Sequence, residues 1–285
     1  MGLVGGRLSF GDLELIQLRA SRFRLDGGTM FGVVPRPLWE RASPPDALNR
    51  VELGCNCLLV KQPGDLTLID TGCGEAWTAR EEQIFALDPQ HTLRTALAAA
   101  EVCPEQITRV ILTHLHFDHA GGAVWAPAGR AVPLLSNASY FVQRREWQDA
   151  LAGVSIMKSS YRPEQLMPLQ ESGQLSFLDG DTVLDDQIST FVTGGHTAGH
   201  QGVRIEAGGR TLVYPGELLP TNAHLRLHWN MAYDMYPYQT LSRKSAFLDQ
   251  AQALGWIIAW DHDPRLCWSR LVGPPGQPVA EGIGI

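Results

Sequence analysis

The stretch Thr113-His114-Leu115-His116-Phe117-Asp118-His119, followed by Ala120-Gly121-Gly122, constrains this chain more than any other. Three imidazoles and a carboxylate fall within six residues, directly after the apolar, β-branched run 110–112. Side chains of an extended chain alternate between faces, so His114 and His116 point the same way. Asp118 and His119 then turn over as the chain enters the glycines and face a second position beside the first. Neutral imidazole combined with carboxylate oxygen suits Zn, Fe, Mn or Co.

Composition narrows the partners. With 285 residues and 44% hydrophobic content the chain can bury one large core or two small ones, and a single domain over 1–285 is expected. A net charge of −7 argues against nucleic acid held through its phosphates. No segment approaches the ~18 uninterrupted apolar residues of a membrane span, so no membrane partner is expected. The opening Met1-Gly2-Leu3-Val4 carries no apolar signal segment, and a cytoplasmic location is expected. The five cysteines (Cys55, Cys57, Cys73, Cys103 and Cys267) make no disulfide framework. Cys55 and Cys57 read as alternate residues of a buried strand.

In chain order, 13–18 and 23–25 read as short strands. Residues 26–37 read as a Gly/Pro-punctuated loop, neither strand interior nor helix, carrying Met30 and Phe31. Such a loop walls a pocket or packs on its own core. Residues 53–60 and 66–69 form a hairpin over Pro63-Gly64. Asp70 follows, and either caps the turn or holds a ligand imidazole in one tautomer. Residues 92–100 are a helix capped by Thr92, leading into the histidine-bearing strand, which makes a layered α/β pattern. Residues 140–143 are a strand, 144–150 a short helix and 159–173 a loop region. A strand over 188–193 runs into Gly194-Gly195-His196. A hairpin of 201–206 with 211–214 ends in Pro215-Gly216-Glu217. A helix over 241–254 precedes a buried strand, 256–260, and then His262. Every candidate ligand, His114, His116, Asp118, His119, His196, Glu217 and His262, thus follows a strand end, where separate loops can meet.

The run His114-Leu115-His116-Phe117-Asp118-His119, with Gly195-His196-Thr197-Ala198-Gly199-His200 and the late His262, resembles the metallo-β-lactamase-fold hydrolases. The motifs run from 70 to 263, and with the flanking strands the resemblance covers nearly the whole chain. It implies a mixed α/β (α+β) fold, a four-layer αββα sandwich with a dinuclear metal site at one edge. It places His114, His116 and His196 on one ion, and Asp118, His119 and His262 on the other. Asp70 looks like the family's carboxylate that supports the ligands from behind, while His200 falls outside the ligand set and serves structure. The resemblance also implies two divalent ions, zinc foremost with Fe, Mn or Co as alternatives. One departure is that the family usually bridges its ions with Asp where this chain has Glu217. The extra methylene implies a backbone set further back, an asymmetric bridge, or a site that no longer catalyses. The reading adopted is a retained but unequal site in which Glu217→Asp raises occupancy of the second position.

Two cations sharing a water lower its pKa toward about 7 and make hydroxide available to attack a carbonyl or phosphoryl centre. The resemblance suggests that Asp118 orients that nucleophile or carries its proton. No Gly-x-Ser-x-Gly elbow or phosphate-binding loop offers a competing chemistry. The segment 218–234, rich in aromatic and His residues, could wall an apolar pocket with Met30 and Phe31, making these two with His224 and Trp229 candidate substrate contacts. They could equally pack the sandwich. The whole pattern resembles most the lactonase and organophosphate-hydrolase branch, which acts on lactones, esters or phosphotriesters. Quorum-quenching lactonases commonly place a Tyr three residues after the bridging Asp, and this chain has Pro220 there. The alternatives are a glyoxalase II-like thioesterase or persulfide-oxidising enzyme, or a non-catalytic metal-binding protein weakened by Glu217. A small-molecule substrate is the expected partner, and the sequence leaves a homodimer open.

Overall fold

Runs of β-branched and aliphatic residues between turn formers build two sheets in the computed structural model, which describes residues 2–126, 129–153, 158–274 and 276–283. The first sheet begins with β1 (Val4–Phe10), β2 (Leu13–Asp26), β3 (Arg50–Gln62) and β4 (Asp65–Ile69), an antiparallel meander. β5 (Arg109–Ile111) then pairs parallel to β4. After a small ribbon of β6 (Val124–Trp125) and β7 (Val132–Pro133), β8 (Ser139–Gln143) and β9 (Leu175–Leu178) continue the sheet in parallel. The second sheet runs β10 (Thr182–Val183), β11 (Ile188–Val192), β12 (Gln201–Ala207), β13 (Arg210–Tyr214), β14 (Ile257–Ala259), β15 (Trp268–Val272) and β16 (Val279–Gly282). Among the described residues each sheet has seven strands.

Burial patterns stack the layers. Leu15, Leu58, Val60 and Ile69 of the first sheet meet Val203, Ile205, Leu212 and Ile257 of the second. On its other face the first sheet covers Ile16, Leu18 and Leu59 with three helices: α4 (Leu93–Ala99), α6 (Arg144–Ala152) and α7 (Pro163–Glu171). The second sheet buries Val213 and Ile258 beneath Phe247, Leu248 and Ala251 of α8 (Pro237–Ala253). The order helix, sheet, sheet, helix is the expected four-layer sandwich. Among the described residues no helix is long and apolar enough to cross a membrane.

Three expectations change. Residues 13–18 and 23–25 belong to one strand, β2, which pairs with β3 along its length and absorbs Arg19–Ser21 as a register shift. The supposed loop 26–37 contains two short helices, α1 (Gly27–Phe31) and α2 (Arg36–Trp39), and α3 (Ala79–Phe85) follows β4. The Asp26 carboxylate accepts the Thr29 amide and caps the first, and Pro stands in the opening turn of the second. Residues 163–171 of the supposed loop 159–173 are α7, begun by Pro163 and fastened by buried Leu166 and Leu169.

The strands that matter for chemistry share a direction. β4 and β5 are parallel, as are β13 and β14, and β11 runs alongside them through β12. Their C-terminal ends open on one edge of the sandwich.

Candidate metal centre

Beyond β4, Asp70 takes a left-handed backbone (φ 58°) that a short polar side chain tolerates. Its buried carboxylate accepts the Thr113 amide at 2.8 Å, the Thr113 hydroxyl at 2.9 Å and the Nδ1–H of His119 at 2.8 Å. Beyond β5 the chain turns into the single-turn helix α5 (Phe117–Ala120). Gly122 then lies so close to the Thr71 carbonyl that a Cβ would collide. His196 follows β11, Glu217 follows β13 and His262 follows β14.

These ends converge. His114, His116, His196 and Glu217 form one group, and Asp118, His119, Glu217 and His262 a second; ligand atoms within each lie within 4.8 Å of one another, and all are buried. Glu217 belongs to both. Its Oε2 lies 3.3 Å from His114 Nε2 and touches His196 Nε2, while its Oε1 lies 3.2 Å from His262 Nε2. The longer side chain therefore presents one oxygen to each side. Asp118 Oδ2 is 3.6 Å from His262 Nε2.

The outer nitrogens are pinned from behind. His119 donates from Nδ1 to Asp70, His196 to Asp234 at 3.1 Å and His262 to the Gly54 carbonyl at 2.8 Å. Each bond selects the tautomer whose Nε2 lone pair faces inward. Burial, then neighbouring imidazoles, pushes His114 and His116 well below the ordinary histidine value, which keeps both neutral. Burial also opposes charge on His196, but Glu217 and Asp234 outweigh it and carry the ring to about 10. A bound cation satisfies the same carboxylates in place of that proton. Burial raises Asp118.

The donor set fits metal ions. Among the described residues the Nε2 of His114 is buried without a hydrogen bond, while His116 turns its Nδ1 toward His196. Two pairs of inward imidazole nitrogens, His116 with His196 and His119 with His262, stand 3.0 Å apart. Nitrogens packed this way repel unless a proton or a metal ion lies between them, and the cluster of carboxylates around them favours a cation. Imidazole with carboxylate is zinc-type ligation.

Residues that sequence reasoning missed hold the ligand loops. Glu146, fully buried in the first turn of α6, accepts the Leu115 amide at 3.1 Å, the Tyr161 hydroxyl at 3.1 Å and the Thr197 hydroxyl at 2.6 Å. Asp234 was equally unmarked. Glu146 follows the end of β8, where the strand-end pattern that marks the candidate ligands also falls, but nothing in the spacing ties it to Leu115 or Thr197. His200 lies outside both groups, and its Nε2 accepts the Glu217 amide at 3.1 Å.

A cavity of about 230 Å³ opens on the site, and its apolar walls are Leu25, Phe85, Phe117 and Tyr233. The four candidate substrate contacts are not among its lining residues. Met30, Phe31 and His224 line a different cavity, and Trp229 packs edge-on behind Phe31 at 5.5 Å. The aromatic segment after Glu217 reaches the site only through Tyr233.

Known proteins match this architecture. An N-acyl homoserine lactonase from Bacillus cereus is 27% identical over 168 residues, covering 55% of this chain and 60% of that protein. The match thus spans about three-fifths of that relative. A probable metal-dependent hydrolase from Staphylococcus aureus superposes with a TM-score of 0.88 at 27% identity, over 98% of this chain and 100% of that one. AidC, a dizinc quorum-quenching lactonase solved with a product, superposes at 0.80 with 22% identity over 99% of each chain. The family model of the metallo-beta-lactamase superfamily matches residues 50–262, a span holding every side chain of both groups, and the chain belongs to that superfamily.

Proposed function

We propose that the protein is a dinuclear metal-dependent hydrolase of lactones, esters or phosphotriesters. The observation that carries this reading is Glu217, which offers one oxygen to each of two four-residue groups. His114, His116 and His196 would hold one ion, Asp118, His119 and His262 the other, and Glu217 would span them. Two divalent ions there, zinc foremost, would lower the pKa of a water between them and polarise a carbonyl or phosphoryl oxygen. Asp118 lines the cavity and offers a buried carboxylate to orient the attacking water and take its proton. Asp70 fixes the His119 tautomer.

The cavity walls favour acyl or aryl groups, because Leu25, Phe85 and Phe117 have no polar group to satisfy. Among the described residues no Lys or Arg lines it, which disfavours a glutathione thioester with its carboxylates. The lactonase relative supports cyclic esters.

A panel of lactones, p-nitrophenyl esters, paraoxon-type triesters and S-lactoylglutathione, run with Zn, Mn, Co and Fe, tests the proposal. Turnover of a lactone or ester with two bound ions per chain is expected. Fewer than one tightly held ion, or turnover confined to S-lactoylglutathione with iron, would overturn it. Phe85→Ala should raise KM for decanoyl over acetyl substrates by about thirtyfold, since burying such a ring contributes ~2 kcal/mol. Equal effects on both chain lengths would remove Phe85 from the acyl path.

A further inference from the structure

The residues after Asp26 and after Pro220, singled out in the sequence but absent from the metal cavity, build a second one. It has a volume of about 360 Å³, within the range of small-molecule sites. Its floor is apolar: Met30, Phe31, Val51 and Leu53, all buried. Its mouth carries the guanidinium groups of Arg22, Arg24 and Arg265.

The charges there do not balance. Arg22 and Arg24 both bond to the Glu52 carboxylate, at 2.8 and 3.3 Å. Asp263 turns its oxygens to backbone amides, Oδ1 to Arg265 and Leu266 and Oδ2 to Asn222. The Arg265 guanidinium has no hydrogen bond or ion pair with any described residue. Among the charged side chains lining the cavity three guanidinium groups meet two carboxylates, and Arg265, whose field also helps to lower Glu52, is the one that no described carboxylate holds within hydrogen-bond distance.

A firm partition separates this cavity from the ligand clusters. His224, held neutral by burial at about 3, donates from Nε2 to the Met30 carbonyl at 2.9 Å and stacks on Phe31 at 5.0 Å. Its Nδ1 meets the Thr221 hydroxyl at 2.8 Å. The His262 amide donates to the Pro220 carbonyl on the far side of the same wall.

We propose that this cavity is a second ligand site, distinct from the metal centre, which takes an amphiphilic organic monocarboxylate. The apolar body lies on Met30, Phe31, Val51 and Leu53, and the carboxylate on the planar fork of Arg265, whose geometry matches it bidentately. A single unpaired guanidinium suits one negative charge. The site does not depend on the metal ions or on what the enzyme hydrolyses.

Octanoate, octanol, acetate and inorganic phosphate are titrated calorimetrically into the metal-loaded protein, its Arg265→Glu variant and its Ala42→Trp variant. Ala42 and Arg265 are exposed lining residues outside the catalytic machinery, so both variants keep the core. Expected is one octanoate per chain, bound at least about tenfold more tightly than octanol, acetate or phosphate, and weakened at least about tenfold by each substitution. p-Nitrophenyl acetate hydrolysis should change less than about twofold, since neither side chain lines the metal cavity. No octanoate binding, octanol binding as well as octanoate, phosphate binding better than octanoate, or an octanoate affinity that neither substitution alters would overturn the proposal. The last result is what binding at the metal centre would give. Absence of hydrolysis or of metal in the wild type, the failure of the proposed function, leaves the titration readable.

Discussion

Glu217→Ala is expected to lower kcat/KM for any ester or lactone turned over by about 10³-fold or more and to strip at least one metal ion per chain. Glu217 is the one side chain common to both ligand groups, with Oε2 toward His114 and His196 and Oε1 toward His262. Removing it leaves Asp118 as the only carboxylate in either group, against five imidazoles. Two dications would then face a single negative charge in a buried site. The loss of several kcal/mol of electrostatic stabilisation corresponds to about 10³ in rate. Glu217→Asp separates reach from charge. Sequence reasoning alone favoured a gain at the second position from the shorter residue. The geometry argues for the opposite direction: the Glu217 amide is tied to His200 Nε2 at 3.1 Å, and from that anchor Glu already reaches both groups. Asp would fall short of one of them, so occupancy of one ion should drop while the other stays. Elemental analysis of desalted protein together with kcat/KM decides the matter. A Glu217→Ala protein that keeps two ions and activity within about tenfold of wild type would remove Glu217 from the centre.

What could be read from the sequence was local. The turn at Pro63-Gly64, the Thr92 cap and the clustering of His114 to His119 each announce themselves within a few residues, and the structure contains each of them. The misreadings have a common cause, since tertiary pairing overrides local signals. Arg19, Ser21 and Arg22 break the apolar pattern of β2, yet twelve register pairs with β3 carry the strand through. The glycines opening α1 disfavour helix, yet the Asp26 cap and the burial of Met30 and Phe31 hold it. Pro168 argues against a helix at 163–171, since it removes a backbone hydrogen bond and crowds the preceding turn, but the burial of Leu166, Pro168 and Leu169 outweighs that cost. The supports of the ligands were illegible for a different reason. Asp234 meets His196 across 38 residues and Glu146 meets Thr197 across 51, and no spacing rule links them. Met30 and Phe31 suggest cavity walls because an apolar Gly/Pro-punctuated segment reads as a pocket wall, but that signal does not say which cavity it lines, and they line the one that His224 also borders.

Glu146→Gln should weaken the ion proposed for His114, His116 and His196 while sparing the one proposed for Asp118, His119 and His262. The Glu146 carboxylate is fully buried and meets only donors: the Leu115 amide, the Tyr161 hydroxyl and the Thr197 hydroxyl. Leu115 lies between His114 and His116, and Thr197 follows His196, so one side chain clamps both loops that serve the first group. Tyr161 adds to this, its ring edge-on to His116 at 4.7 Å. An amide keeps one accepting oxygen for Leu115 and Tyr161 but turns an NH₂ toward the Thr197 hydroxyl, which must rotate to accept it; the bond to a charged acceptor that is lost there contributes about 1.5–3 kcal/mol. Misplaced ligand support of this kind typically lowers metal affinity about 10- to 100-fold. The second group is pinned instead by Asp70 and the Gly54 carbonyl, which Glu146 does not touch. Stepwise competition with a chelator should therefore show the loss in one step and not the other. Thr197→Val, which removes a single donor and keeps the side chain's shape, should produce a smaller loss in the same step. Combined with Glu146→Gln it should add less than its own effect, because both act through one contact. If both ions weaken equally, or only thermal stability falls with affinities unchanged, Glu146 is a core residue with no particular tie to the first ion.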